Sequence, residues 1–256
     1  MLLVNLSQDK YNSYVYLSSS LITSIKKCFQ KEEKIILYLN KRGEYSSLIC
    51  ENCQHLYKCP NCDVSLNVHS TPEKLLCHLC GYSSDIVNKC DKCWKSSLKK
   101  IWIWTQQIEK SLKSILWNSI KIFRLDTDNV RNKSDKKNVL DNIEKANIII
   151  WTKMITTGFN FDNVGLIAVI LLEQELLVPK YNTEENLYQN IKQLIWRWNR
   201  VWKQTDIIIQ SFIPENDIVQ NIFSWNYKDF FLKSIEERKE FLYPPFTEII
   251  EIEYRD

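Results

Sequence analysis

Eight of the nine cysteines fall between positions 50 and 93, as four CxxC pairs: Cys50/Cys53, Cys59/Cys62, Cys77/Cys80 and Cys90/Cys93. A CxxC turn brings two thiolates to one ion, and two such turns complete a tetrahedral shell of four sulfurs. Four turns therefore predict two structural zinc ions. A disulfide framework is the other use of so many cysteines, but nothing in the chain points to an oxidising compartment. A redox dithiol needs one pair and leaves six cysteines unexplained. The interval also holds turn formers such as Asn52, Asn61 and Gly81 and few core residues, so it is expected to need metal in order to fold. His55, His69 and His78 lie in or near it, and with eight thiolates at hand they are read as surface residues or as supports for the ligands. Cys28 stands apart on a predicted helix as a small buried apolar residue.

Outside that interval short β-branched runs alternate with helical patterns. KIILYL (34–39), IKIFRLD (120–126), NIIIWT (147–152), GLIAVILL (165–172) and DIIIQSF (206–212) read as buried strands. Thr105–Trp117, Ser134–Lys145 and Thr183–Trp198 have helical spacing with charged outer faces. Continuous apolar strands alternating with helices predict an α/β domain, a parallel sheet covered on both faces, with the cysteine-rich module inserted after the first strand. We divide the chain into a start of the α/β lobe at 1–48, a zinc-binding insertion at 49–98, the remainder of the lobe at 99–213, and a helical segment at 214–256. The last ends in a strand-like EIIEIEY, read as the start of a further domain.

The balance of 34 Lys plus Arg against 31 Asp plus Glu, a net charge of +3, argues neither for nor against a nucleic-acid partner. The start has no basic stretch followed by a long apolar one, and the longest apolar run is far short of the roughly 20 residues of a spanning helix. A cytoplasmic chain without membrane contact is expected. Glycine is scarce: four residues where about 7%, roughly 18, is usual, while tryptophan appears nine times.

The order of motifs resembles one family. LYLNKRGE, the four CxxC pairs, WTQQIE, RLDTD, WTKMITTGFNF, QLIWRWNR and YPPF together resemble the C-terminal half of primosomal protein N′, the PriA family of bacterial replication-restart DNA helicases. The resemblance runs from about residue 15 to about residue 250. It implies the second RecA-like lobe of a superfamily 2 helicase with an inserted two-zinc module. It further implies that Cys50, Cys53, Cys90 and Cys93 hold one ion and Cys59, Cys62, Cys77 and Cys80 the other, a pairing that spacing alone leaves open. Gln193, Arg197 and Arg200 match the pattern QxxGRxxR, whose arginines reach the γ-phosphate of ATP held by a first lobe; a guanidinium suits the charge that spreads over the transferring oxygens. Thr152, Met154, Gly158 and Phe161 match a motif that couples nucleotide state to the DNA strand, although Lys153, Thr157 and Phe159 depart from it. Lys41 and Arg42 stand where the family has a basic pair, fitting either a phosphate-backbone contact or a charged turn. Pro179, Tyr181, Glu185, Tyr188 and Gln189 fit a further motif whose two arginines are here Asn182 and Asn186.

Six tryptophans, Trp94, Trp102, Trp104, Trp151, Trp196 and Trp202, stand where the family has glycine. Drift replaces glycine with small or turn-forming residues, not repeatedly with an indole. The Lys-, Asn- and Ile-rich composition suits an AT-rich genome in which UGA is reassigned. We therefore expect these positions to be UGA codons that the source cell reads as glycine. Trp117, Trp198 and Trp225 lie where glycine is less clearly expected.

The chain has no GxxxxGK[ST] loop and no DExH box, the phosphate cradle and magnesium-binding acid of a first lobe. Asp126 and Asp128 of RLDTD belong to the wrong lobe to replace them. ATP and Mg2+ are expected to bind only together with that lobe, and this chain alone is expected not to hydrolyse ATP. The resemblance implies an ATP-dependent 3′→5′ helicase acting on abandoned forks. Its implied partners are forked DNA and single-stranded/duplex junctions, single-stranded-DNA-binding protein, other primosome proteins and the missing N-terminal helicase lobe. The alternative is an ATPase-dead, zinc-containing module that binds nucleic acid or protein.

Overall fold

A computed structural model describes residues 1–9, 11–12, 14, 16–39, 47–53, 55–61, 65–70, 73–78, 80–101, 104–116, 120–125, 141–152, 163–176, 180–198 and 205–250. Its centre is a six-stranded sheet, all parallel, built from β1 (Leu2–Asn5), β2 (Lys34–Tyr38), β8 (Ile122–Leu125), β9 (Ile148–Trp151), β10 (Val164–Val169) and β11 (Asp206–Ser211). The spatial order is β1-β11-β10-β2-β9-β8. Every residue of β9 and β10 is buried, as are the last four of β2, so the middle of the sheet is covered on both faces. That is why these runs read as unbroken Ile, Val and Leu rather than as alternation. The α/β class expected from the sequence is the one observed.

One edge strand, β1, is absent from the sequence reading. Four residues, LLVN, carry too short a pattern to announce a strand; pairing of Leu3 with Ile209 of β11 supplies what local propensity does not. Helix α1 (Ser19–Gln30) then returns the chain to β2 and buries Leu21, Ile22, Ile25 and Cys28, one apolar stripe, against the sheet. The Ser18 hydroxyl caps it by accepting from the Leu21 N–H at 3.0 Å. The cysteine-rich module thus follows the second strand in chain order, not the first.

Helix α2 (Thr105–Ile115) buries Ile108 and Leu112 and leads to the edge strand β8. Residues 141–145 are helical ahead of β9; the rest of the helix expected over Ser134–Lys145 lies outside the described residues. A short helix α3 (Glu173–Leu176) follows β10, and α4 (Thr183–Trp198) packs Leu187, Tyr188, Ile191, Leu194 and Ile195 inward before β11. Beyond β11 lie α5 (Asp217–Ser224) and α6 (Tyr227–Glu240). Arg238 of α6 meets Glu185 of α4 at 2.5 Å, and Tyr243 stacks on Tyr181 with ring centroids 5.3 Å apart. The strand pattern expected near the C-terminus is not realised at 248–250, which are irregular. Ile249 and Ile250 there are half or more exposed, and the rest of the EIIEIEY segment lies outside the described residues. No helix among the described residues is long and apolar enough to cross a membrane.

The cysteine-rich module is built of small antiparallel pieces. β3 (Ser47–Cys50) pairs with β7 (Leu98–Ile101) as a stem, and β4 (Asn67–Ser70), β5 (Glu73–Leu76) and β6 (Ser83–Asp85) form a three-stranded sheet. Its own core is slight: Leu48, Tyr57, Cys59, Leu66, Val68, Leu75 and Cys77. Ile49 and Leu56 leave it and join the core of the parallel sheet. The Ser65 hydroxyl donates to the Leu176 carbonyl at 3.1 Å, fixing the module to the turn that follows β10.

Candidate functional site

A module with so few apolar side chains needs another source of order, and its sulfurs converge. The Sγ atoms of Cys50, Cys53, Cys90 and Cys93 lie within 4.8 Å of one another, and so do those of Cys59, Cys77 and Cys80. Cys50–Cys93 and Cys53–Cys90 are 3.5 and 3.6 Å apart, and Cys59–Cys80 is 3.6 Å. Zinc–sulfur bonds of about 2.3 Å in a tetrahedron put ligand sulfurs about 3.8 Å apart, so both clusters have the size the ion requires. Cys62 lies outside the described residues. The first and last CxxC turns thus meet at one place, and Cys59 meets the third turn at another.

The two clusters also share their surroundings. Asn52 and Asn61, each one residue before the second cysteine of its CxxC, turn their side-chain amides to a sulfur of the opposite turn, Cys93 at 3.7 Å and Cys80 at 3.8 Å. Such N–H···S bonds spread thiolate charge. The repeated CxNC was the sequence signal for them. Among the sulfurs the Lys95 backbone N–H pulls the Cys93 thiol down to about 7, whereas burial pushes Cys53 up to about 12 and Cys50 upward as well. A divalent cation in this cluster would take the place of those protons. His55 lies 3.4 Å from Asp91, and His69 and His78 face each other at 2.9 Å between their Nε2 atoms; none joins a sulfur cluster.

The module sits at the carboxyl edge of the parallel sheet, where α/β proteins place their ligands. β2 and β9 are neighbours there, with Tyr38 beside Trp151. The segment holding Lys41 and Arg42 leaves the end of β2, and that holding Met154, Gly158 and Phe161 leaves the end of β9; all five lie outside the described residues. Thr152 is buried, its hydroxyl donating to the Leu125 carbonyl of β8 at 3.2 Å. Gln193 is exposed on α4 and one turn from position 197. The Arg197 side chain and Arg200 lie outside the described residues.

The sequence reading passed over the acidic pair in ILLEQELL. Glu173 and Glu175 are both buried, in a four-residue turn of which every residue is buried. Glu173 Oε1 accepts from the Ser211 hydroxyl and from the Ile213 N–H at 3.0 Å. Burial holds its carboxyl above the ordinary range. Glu175 accepts from the Tyr38 hydroxyl through Oε1 and from the Asn190 amide at 2.8 Å through Oε2. Two carboxyls inside an apolar run are costly to bury and so mark a site that the surrounding structure needs.

Of the tryptophans at expected glycine positions, Trp94 has φ +59° and a largely exposed indole, Trp196 is largely exposed on α4, and Trp104 precedes α2 with no side-chain cap. Trp151 is buried in β9, in register with Tyr38 of β2 and Leu125 of β8. Trp225, where glycine was less clearly expected, has φ +59° as the left-handed cap of α5. Trp102 and Trp202 lie outside the described residues.

The sequence is similar to that of known proteins. Residues 59–84 match the family model described as the PriA DNA helicase Cys-rich region domain. The chain is 32% identical over 240 residues to the replication restart protein PriA of Borreliella burgdorferi, covering 93% of this chain and 36% of that protein. It is 30% identical over 231 residues to that of Bacillus subtilis, 90% of this chain and 29% of the relative. Against that of Helicobacter pylori strain J99 the figures are 32% over 244 residues, 94% and 38%. The chain spans about a third of the length of these relatives.

Proposed function

The chain belongs to the PriA family of replication restart proteins, and from that premise we propose that it supplies the second RecA-like lobe and the two-zinc module of an ATP-dependent 3′→5′ DNA helicase that acts at abandoned replication forks in the cytoplasm. The observation that carries the reading is the joining of the cysteine-rich module to the carboxyl edge of a six-stranded parallel sheet, through Ser65 and Leu176. In this reading Cys50, Cys53, Cys90 and Cys93 hold one zinc ion and Cys59, Cys62, Cys77 and Cys80 the other. The ions supply no chemistry at the phosphate; they fold the module.

The motor roles follow the same premise. Arg197 and Arg200 stabilise the charge on the transferring phosphoryl group of ATP bound, with Mg2+, to a first lobe, and Gln193 orients them. Thr152, Met154, Gly158 and Phe161 relay nucleotide state to the strand, and Lys41 and Arg42 hold phosphates of the DNA backbone. Duplex–single-strand junctions, single-stranded-DNA-binding protein and other primosome proteins are the partners. The test adds a separately made lobe bearing the GxxxxGK[ST] loop and DExH box and measures ATP hydrolysis with forked DNA. Turnover that is lost in Arg197→Ala supports the motor; fork binding with no turnover rejects it.

A second reading, a zinc-bearing nucleic-acid or protein-binding module without a motor, draws on one observation. Asn182 stands where the family motif has arginine, and its side-chain oxygen is buried without a hydrogen-bond partner. An amide whose oxygen is left unpaired is a poor substitute for a charged fork of donors. Fork binding without turnover is the outcome this reading expects.

A further inference from the structure

Resting on the motor reading above, we propose that Glu175 is a positioning residue for the arginine-bearing helix α4. It touches neither nucleotide nor DNA and acts through Asn190.

The geometry is specific. Glu175 is 4% exposed, and each carboxyl oxygen has a different partner. Oε1 takes the Tyr38 hydroxyl, from the carboxyl end of β2. Oε2 takes the Asn190 amide at 2.8 Å, from the middle of α4. The carboxylate is therefore a bridge between the central strand and the helix, and Asn190 stands two turns before Arg197 on that helix. The neighbouring atoms of the same turn are fixed independently: Glu173 holds β11 through Ser211 and Ile213, and the Leu176 carbonyl holds Ser65 of the cysteine-rich module. Four residues thus tie together β2, β11, α4 and the module. Within this hub Glu175 reaches α4 by its side-chain hydrogen bond with Asn190.

A carboxylate is the group the position requires. Both facing groups are donors, and a carboxylate offers acceptors on both oxygens. Glutamine keeps the shape but presents an NH2 to one of the two: facing Asn190 it makes a buried donor–donor contact, and facing Tyr38 it can donate only if the hydroxyl turns its own proton away and leaves it without this acceptor. Arginines that stabilise transferring charge must be held to a fraction of an ångström, and a helix freed to shift by that amount loses rate rather than nucleotide affinity.

The experiment compares Glu175→Gln, Asn190→Ala and Gln210→Ala in the helicase assembled from this chain and the first lobe, with Arg197→Ala as reference. Two readouts are taken on each: amide hydrogen exchange across residues 183–198, and kcat and KM for ATP with forked DNA. We expect Glu175→Gln and Asn190→Ala to speed exchange in α4 by about tenfold, as loss of one buried hydrogen bond would. We expect kcat to fall by about tenfold with KM for ATP within twofold. Gln210→Ala, whose bonds run to α1 and β10, loosens α1 and leaves kcat unchanged. Unchanged exchange in α4 overturns the proposal whatever the turnover. Faster exchange with unchanged kcat, where Arg197→Ala abolishes turnover, also overturns it. An equal fall of kcat in Gln210→Ala overturns it by showing that any loss of stability suffices. If Arg197→Ala itself has no effect on a working ATPase, the arginine reading fails, and this proposal with it.

Discussion

Trp94 occupies, one CxxC turn further along, the backbone position that Gly81 holds. Each residue directly follows the second cysteine of its pair. Gly81 N–H donates to the Cys77 carbonyl at 2.9 Å with φ +76°; Trp94 N–H donates to the Cys90 carbonyl at 2.7 Å with φ +59°. The reverse bonds match too, from Cys77 N–H to Tyr82 O and from Cys90 N–H to Lys95 O. The turn that points two thiolates at one ion therefore needs a left-handed residue at its end, which glycine adopts without strain and an L side chain does not.

Replacing Trp94 with glycine is accordingly expected to stabilise the zinc-loaded protein by about 1 kcal/mol, the strain relieved less the entropy that glycine adds to the unfolded chain. Trp94→Ala keeps a Cβ and should gain little. Trp225→Gly, at the left-handed cap of α5, should behave like Trp94→Gly. Denaturant midpoints of the four proteins decide it; equal midpoints for Gly and Ala at 94 would reject the backbone argument. Peptide mass spectrometry on protein from its own cell should find glycine masses at 94 and 225.

Much of the lobe was legible because its strands are buried on both faces and its helices carry an apolar stripe. The helical spacing over Thr183–Trp198 marks α4 at its observed span. β1 was not legible, because its four residues become a strand only when β11 is beside them. The sulfur clusters were legible from the CxxC spacing, but the meeting of Cys50 with Cys93 is a long-range fact that needs the stem of β3 and β7. The hub at 173–176 was hidden for a different reason. Within an apolar run, two glutamates look like an interruption of a strand, and nothing local says that Ser211, Tyr38 and Asn190 will each supply a donor.

The two sulfur clusters should be separable. Cys50→Ser is expected to lower zinc content from about two ions per chain to about one, and Cys59→Ser to do the same by emptying the other site. Because the small core of the module cannot hold it together, chelation of both ions should abolish amide protection between residues 48 and 93. The parallel sheet, with its own core, should keep its protection. Metal analysis with hydrogen exchange reads both; fewer than one ion in the unaltered protein would count against the zinc assignment.

Glu173 gives stability a pH dependence of known sign. Burial raises its folded carboxyl above the ordinary value, so the folded state binds a proton that the unfolded state releases. Its contribution is complete below the unfolded value near 4.5 and is lost as pH rises through the folded one. Glu173→Gln, which stays neutral, should remove that loss, so the variant gains on the unaltered protein as pH rises from about 4 to 8. Paired urea titrations across that range test it, and parallel stability curves would refute it.

Gln210 carries the last prediction. It is completely buried in β11, yet its oxygen and both N–H donors are bonded: Oε1 accepts from Ser18 N–H at 2.9 Å, and Nε2 donates to the Tyr16 and Ile170 carbonyls at 3.0 and 2.8 Å. These bonds hold the segment that enters α1 against the ends of β10 and β11. Leucine at 210 fills the space but leaves one amide and two carbonyls buried without partners. At about 1–3 kcal/mol for each orphaned group, reduced where the backbone relaxes, the loss should reach about 3 kcal/mol. Glutamate can accept from Ser18 but must face two carbonyls, so it should do no better than leucine at neutral pH. Thermal unfolding of Gln210→Leu and Gln210→Glu measures this, and a loss under 1 kcal/mol for leucine would show that the α1 entry is held by its apolar contacts alone.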